Sequence, residues 1–208
     1  MIQQHEYALL GGFNRATIGR WLGSLAALIS GGLVFVVLSA VDLAKSLGLN
    51  VNLPPTVLSL VGAGAVYAAL YWLFDRRLWK FGPLVKLLRV PDLSGQWECQ
   101  GNPLQSTVAT PWQGRMTIIQ TWDKLRLRLE TDNSVSNSLS AALLFDEAVG
   151  FHLMYHYRND PKIVAPELKG HHGFAELIFD RDGQSAAGDY FNGRGRNTFG
   201  IMKITKVN

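Results

Sequence analysis

The 208-residue sequence holds one cysteine, Cys99, which rules out an internal disulfide and suits a soluble part kept in a reducing compartment. It also holds two long stretches without charge, residues 21–41 and 47–74. No Asp, Glu, Lys, Arg or His falls inside either, which argues against an ion pathway or a proton relay there. A Gly-x-Ser-x-Gly elbow and a Walker-type phosphate loop are missing too. Basic excess is confined to one half. Residues 1–91 carry eight Lys/Arg against three Asp/Glu, a balance of +5, whereas residues 92–208 carry twelve against thirteen, a balance of −1. The pI of about 9.3 therefore describes the apolar half, where an anionic leaflet attracts base, and is no sign of a DNA or RNA polymer partner.

The first uncharged run, WLGSLAALISGGLVFVVLSAV over residues 21–41, is long enough as a helix to cover the roughly 30 Å of a bilayer's hydrocarbon. It is too long for the core of a cleavable signal peptide. The second helix is expected over residues 55–74, opening at Pro54-Pro55, where proline is tolerated in a first turn. Lys and Arg counts set the orientation: Arg15 and Arg20 precede the first run, Lys45 alone lies between, and Arg76, Arg77, Lys80, Lys86 and Arg89 follow the second. Both termini are thus expected on the cytoplasmic side of a multi-pass protein in the bilayer. Small residues recur four apart at Gly23, Ala27 and Gly31, and again at Gly64 and Ala68. Such stripes let helices approach closely in lipid, either within the hairpin or between copies in a homo-oligomer. Residues 75–91 mix bases with Leu, Trp, Phe and Val and read as a basic interfacial connector broken at Gly82-Pro83.

From Asp92 the periodicity changes from helical to alternating. Leu125, Leu127 and Leu129 share one face, as do Phe151, Leu153, Tyr155 and Tyr157, and Ser134, Ser136, Ser138 and Ser140. Eight short strands are expected: Gly95–Gln100, Trp112–Thr121, Lys124–Thr131, Ser136–Leu144, Phe151–Arg158, Gly173–Phe179, Ala186–Phe191 and Thr198–Thr205. The predicted fold is a two-helix transmembrane hairpin plus an all-β domain, a small eight-stranded antiparallel up-and-down barrel of lipocalin-like form, with a β-sandwich as the alternative. The expected division is a cytoplasmic segment over residues 1–20, the spans within 21–74, the connector over 75–91 and a cytoplasmic barrel over 92–208.

No catalytic or metal constellation emerges. His152 and His156 lie about 13 Å apart along one strand, too far to chelate one metal, and His171-His172 fall near a turn and are expected in solvent. Cys99 reads as a small core residue and Asp146-Glu147 as a solvated turn. No enzyme activity and no cofactor is expected; the enzyme alternative is a haem held by His152 or His156. What remains is a binding inventory. Trp122, Tyr155, Tyr157 and Tyr190 offer aromatic faces for a base, Ser136 and Ser138 polar contacts, and Arg158 and Arg194 grips for phosphate. The segment Asn192-Gly193-Arg194-Gly195-Arg196 offers a basic tip whose glycines let backbone N–H groups near an anion.

Two spans, a basic connector and the opening Leu93-Ser94-Gly95-Gln96-Trp97-Glu98 together resemble the two-transmembrane, β-strand-rich membrane effectors of CBASS, the cyclic-oligonucleotide antiphage signalling systems of bacteria. The serine-rich stretch over residues 131–140 after Gln120-Thr121-Trp122, and the closing Gly188-Asp189-Tyr190-Phe191-Asn192-Gly193-Arg194, are similar to that family as well. The resemblance implies a cyclic dinucleotide ligand bound by the barrel and made by a partner nucleotidyltransferase. It further implies oligomerisation on binding, disruption of the inner membrane and abortive infection. The alternative is a membrane-tethered lipocalin-like binder of a small molecule, without effector activity.

Overall fold

A computed structural model describes residues 4–54, 56, 58, 62–104, 110–165, 169–193 and 197–207. The chain divides into two compact units, one of residues 13–79 and one that joins residues 1–12 to residues 80–208. The N-terminal segment thus belongs with the β-rich part.

In the helical unit, α1 runs from Arg15 to Ser46, 32 residues or about 48 Å, and its apolar stretch is of membrane-spanning length. Asn14 caps it by accepting the Ala16 N–H at 2.8 Å, and Lys45 lies in its last turn, where a cation suits the helix dipole. The expected second helix over residues 55–74 is not one continuous element. Gly62 is extended and serves as the N-cap of α2, Ala63–Arg76, whose 14 residues rise about 21 Å, short of a bilayer crossing. Residues 55, 57 and 59–61 of that stretch lie outside the described residues. Among the described residues, α1 alone has the length and composition to cross. The two helices pack together, with Gly19 of α1 beside the Tyr67 hydroxyl.

The second unit opens with β1, His5–Leu10, and continues after Lys80 with α3, Gly82–Leu88, which starts at the Gly82-Pro83 break because proline fits a first turn. Eight strands follow: β2 Gly95–Pro103, β3 Trp112–Gln120, β4 Lys124–Thr131, β5 Ser134–Asp146, β6 Gly150–Pro161, β7 His171–Phe179, β8 Ser185–Asn192 and β9 Phe199–Lys206. All eight predicted strands are present, most of them longer than expected. The sheet has nine strands rather than eight, in the order β1-β4-β3-β2-β9-β8-β7-β6-β5, and it closes on itself as a barrel. β4 and β5 pair only over Arg128–Glu130 against Val135–Asn137, then diverge. β1 fills the gap, antiparallel to β4 at His5 and Glu6 and parallel to β5 from Tyr7 to Leu10. An eight-strand count missed it because its six residues precede the first apolar run and alternate weakly.

The inward faces follow the alternation: Leu125 and Leu127 on β4, Leu153, Tyr155 and Tyr157 on β6, Ala175 and Leu177 on β7, and Ile204 on β9 are buried. One end of the barrel is filled. There Trp97 and Trp122 are fully buried, Trp97 Nε1 donates to Leu93 O at 3.0 Å, and Phe179 meets the Trp97 ring edge-on at 5.7 Å. Gln120 ties three segments together at this end. Its Oε1 accepts the Leu93 N–H at 2.8 Å, while its Nε2 donates to Pro91 O at 3.2 Å and faces the Tyr7 hydroxyl at 3.4 Å.

Tyr7→Ala is expected to cost about 3 kcal/mol of barrel stability, since it empties a buried aromatic site. A denaturant midpoint equal to wild type for the full chain would show that β1 is dispensable. A second expectation concerns Asp92, held by the Ser94 hydroxyl and amide and by Lys80 Nζ at 3.0 Å. Burial alone would raise its pKa, but these hydrogen bonds outweigh it and the pKa is lowered. The stabilisation is therefore present above the unfolded-state value and lost as pH falls through the lower folded-state one. Because the pair is partly exposed, Asp92→Asn should lower stability at pH 7 by under ~1 kcal/mol. The deficit against wild type should shrink as pH falls below the ordinary Asp value of about 3.9 in parallel denaturation series.

Candidate functional site

Among the described residues, the end of the barrel opposite Trp97 and Trp122 is open, where β2, β4, β6 and β8 finish and β3, β5, β7 and β9 begin. A cavity of about 330 Å³ enters there, at the small end of the roughly 300–1,000 Å³ usual for ligand sites. Glycines make the space. Three inward glycines stand directly across the ladder from an aromatic residue: Gly101 from Trp112, Gly173 from Tyr157, and Gly200 from Tyr190. In each pair the aromatic side chain reaches over the glycine, into the place that a Cβ would take. The aromatic side chains therefore lie along the wall instead of across the lumen.

The lining is polar as well as aromatic. Asn159 Nδ2 donates to Ser134 Oγ at 2.9 Å and to Ser136 Oγ at 2.8 Å. The Tyr157 hydroxyl donates to Asn192 Oδ1 at 2.8 Å, and Asn192 Nδ2 donates to Thr198 Oγ1 at 2.7 Å. Trp112 Nε1 donates to the Tyr190 hydroxyl at 3.2 Å, with the rings edge-to-face at 5.8 Å. Deeper in, the Tyr155 hydroxyl and the Cys99 thiol each lie 3.9 Å from Met202 Sδ. Burial pushes the Cys99 thiol up to about 12 and raises the Tyr155 phenol well above its usual value, with Cys99 and Tyr157 adding to the latter. Both are thus neutral at physiological pH, and Cys99 is no nucleophile. No charged side chain is among the described lining residues. Such a wall offers hydrogen bonds and ring faces to a ligand with both polar edges and flat surfaces.

Of the residues singled out in the sequence, Ser136, Tyr155, Tyr157 and Tyr190 come together on this cavity. Trp122 does not: it is fully buried in the filled end. Ser138 is buried below the cavity, where it accepts the Leu127 N–H at 2.9 Å. Arg158 points outward, exposed, and pairs with Asp160 at 2.8 Å because strand alternation puts it on the opposite face from Tyr157. Arg194 lies outside the described residues. The reading missed Trp112, Asn159 and Asn192 as lining residues. Asn159 and Asn192 each fall two residues after a lining tyrosine, on the same face. That continuation of the alternation was the available sign.

The histidines take other places. His171 is buried rather than solvated, His172 meets His156 at 3.2 Å, and His152 meets Glu176 at 3.1 Å. None of them is among the described residues that line the cavity. No group of three metal-ligating side chains occurs among the described residues.

Comparison with known proteins settles the family. A family profile described as the Cap15 cyclic dinucleotide receptor domain matches residues 88–206, and one described as the Cap15 TM helices matches residues 16–80. The chain belongs to the Cap15 family. A relative named CD-NTase-associated protein 15, from Yersinia aleksiciae, is 41% identical over 206 residues, covering 99% of each chain. The Cap15 assignment makes this a CBASS-associated membrane effector with a receptor domain for cyclic dinucleotides, as the sequence resemblance implied. β1 precedes both matched regions.

Gly101→Ala tests the glycine–aromatic arrangement, because the three atoms nearest to a Cβ there all belong to the Trp112 side chain. Moving that ring should break its bond to Tyr190 and narrow the cavity, weakening cyclic dinucleotide affinity at least about tenfold. Calorimetry that finds unchanged affinity would remove Trp112 from the site.

Proposed function

We propose that the open-end cavity is the cyclic dinucleotide site of this Cap15-family chain, and that ligand binding drives self-association of its membrane helices and disruption of the inner membrane. The observation that carries the reading is the lining: tyrosine and tryptophan rings beside a connected set of Asn, Ser and Thr groups, in a domain matched as a cyclic dinucleotide receptor. Tyr155, Tyr157, Tyr190 and Trp112 supply faces for bases, and Ser134, Ser136, Asn159 and Asn192 supply the donors and acceptors that base and sugar edges need. Phosphate charge is met at the rim. Lys162, on the open end after β6, holds Thr131 O at 2.7 Å and Glu130 at 3.0 Å. The polar lining speaks against the alternative of a lipocalin-like carrier for an apolar molecule. The domain acts as a receptor and not as an enzyme in this reading.

Support for self-association comes from the small residues. A Cβ built at Gly23, Gly31 or Gly64 meets nothing within 4 Å, and Ala27 and Ala68 are exposed, whereas Ala26 and Ser30 are the buried small residues of α1. Among the described residues, these positions on both helices are therefore left for neighbours other than the facing helix of the same chain. The reading places both termini in the cytoplasm and a second crossing over residues 55–74, with a nucleotidyltransferase supplying the ligand.

The test uses the full chain in liposomes with a panel of cyclic dinucleotides. One member should bind and release an entrapped dye. Gly31→Leu should keep its affinity within about threefold while lowering ligand-triggered release roughly tenfold or more. If no member of the panel binds, the receptor reading of this cavity fails; if Gly31→Leu releases dye like wild type, assembly does not run through that stripe.

A further inference from the structure

Where β4 and β5 part, a side chain takes over from the sheet's backbone ladder. Their main-chain pairing ends at Arg128 opposite Asn137, and the next inward amide, Leu127 N–H, donates instead to Ser138 Oγ at 2.9 Å. The register of β5 shifts between Ser138 and Ser140, and beyond that shift β5 pairs with β1. Ser138 Oγ also lies 2.7 Å from His5 Nε2. His5 Nδ1 is 2.9 Å from Glu6 O, a carbonyl that can only accept, so the ring proton sits on Nδ1 and Nε2 accepts the Ser138 O–H. Ser138 is thus the junction of three strands, buried at 2% exposure.

The same strand carries the cavity. Ser134 and Ser136 line it and are bridged by Asn159 Nδ2, and Ser138 is the next inward residue along β5. Beyond β1 the chain has only residues 11–14 before α1 begins, at most about 14 Å of backbone. Gly11 removes part of that slack. It holds φ +75° with the Phe145 carbonyl where a Cβ would stand, so the exit of β1 is packed on β5. β1 is at the same time the most lightly held strand, paired at two positions with β4 and four with β5. Few ladder bonds and an end position make it the element most easily displaced.

We propose that β1 is the output strand of the receptor domain, with His5 its positioning residue: a ligand held by Ser134 and Ser136 acts through Ser138 and His5 on the strand that runs into α1. The inference rests on the reading of the cavity as the ligand site. It assigns a role to the N-terminal segment, which lies outside both family matches. A ligand that draws the β5 serines toward the lumen changes the angle of the Ser138 hydroxyl, which cannot serve the Leu127 amide and His5 equally well in both positions. Loss of the His5 bond loosens the pairing of Tyr7–Leu10, and only four residues separate that pairing from α1.

The experiment is backbone hydrogen exchange of the unmodified full chain in lipid nanodiscs, with and without the cyclic dinucleotide that calorimetry shows to bind. Ligand should change exchange at residues 7–10 by about tenfold or more, while protection at the filled end, around Trp97 and Ile118, stays within about twofold. His5→Ala should bind ligand with affinity within about threefold of wild type yet lose the ligand-dependent change at residues 7–10, and His5→Gln, whose amide can also accept from Ser138, should restore it. Binding with no change at residues 7–10 in the wild-type chain overturns the output role while leaving the cavity as the ligand site. No binding by any ligand overturns both. A His5→Ala chain that responds like wild type removes His5 from the relay and overturns the proposal as stated.

Discussion

A sheet that closes on itself has no spare edge, so every strand must find a partner on both sides, and in this molecule that requirement is met at one seam by borrowing. β4 and β5 share only three paired positions before they separate. An unpaired row of amides and carbonyls would be left along both strands, costly if buried and adhesive if exposed. β1 supplies the missing partner, and the Ser138 hydroxyl takes the Leu127 amide in the short gap where neither ladder runs. The barrel, the cavity within it and the route by which the chain enters its first helix all follow from that closure.

The cavity exists because the barrel is packed differently at its two ends. At the filled end Trp97, Trp122 and Phe179 occupy the lumen, and the Gln120 amide satisfies the strand entries around them. At the open end the large rings are just as numerous, but three of them, Trp112, Tyr157 and Tyr190, lie against a glycine on the neighbouring strand, so aromatic surface is present without filling the volume. The polar groups there satisfy one another in short chains, which keeps an unliganded wall from carrying unpaired buried donors. A neutral, pre-bonded lining suits a ligand that exchanges hydrogen bonds with the wall, and the nearest cation described at that end, Lys162, is set between Glu130 and the Thr131 carbonyl. Its presence holds the Glu130 carboxyl below its usual pKa.

Much of this was legible in the sequence. The eight strands from Gly95 onward announce themselves by period-two alternation and by turn residues, and the uncharged run within α1 by its length. Four of the eight residues singled out for ligand contact, Ser136, Tyr155, Tyr157 and Tyr190, do line one cavity, because inward alternation and strand order place them at a common end. Trp122 was misplaced because an aromatic residue beside a turn looks alike at the filled and the open end; only topology tells which end is plugged. Arg158 was misplaced by one step of alternation. The second helix was over-extended because uncharged length does not reveal that Gly62 leaves the helical conformation. β1 was invisible for a deeper reason. Its six residues carry little pattern of their own, and what makes them a strand is a vacancy between segments more than a hundred positions away.

That separation has a consequence for how the protein is made. A strand at residues 5–10 leaves the ribosome before α1, the membrane helix, while its partners at residues 124–125 and 141–144 appear only after it. Contacts so distant in sequence form late, after the loop between them has been closed by other pairings. α1 is therefore synthesised while β1 still lacks a docking place, and the barrel's seam waits on partners translated after the helix. Until that moment the β4 and β5 edges stay open to other strands, including β1 of a neighbouring nascent chain. Exchange of first strands between chains made side by side on one membrane is thus the misassembly to which this topology is most exposed.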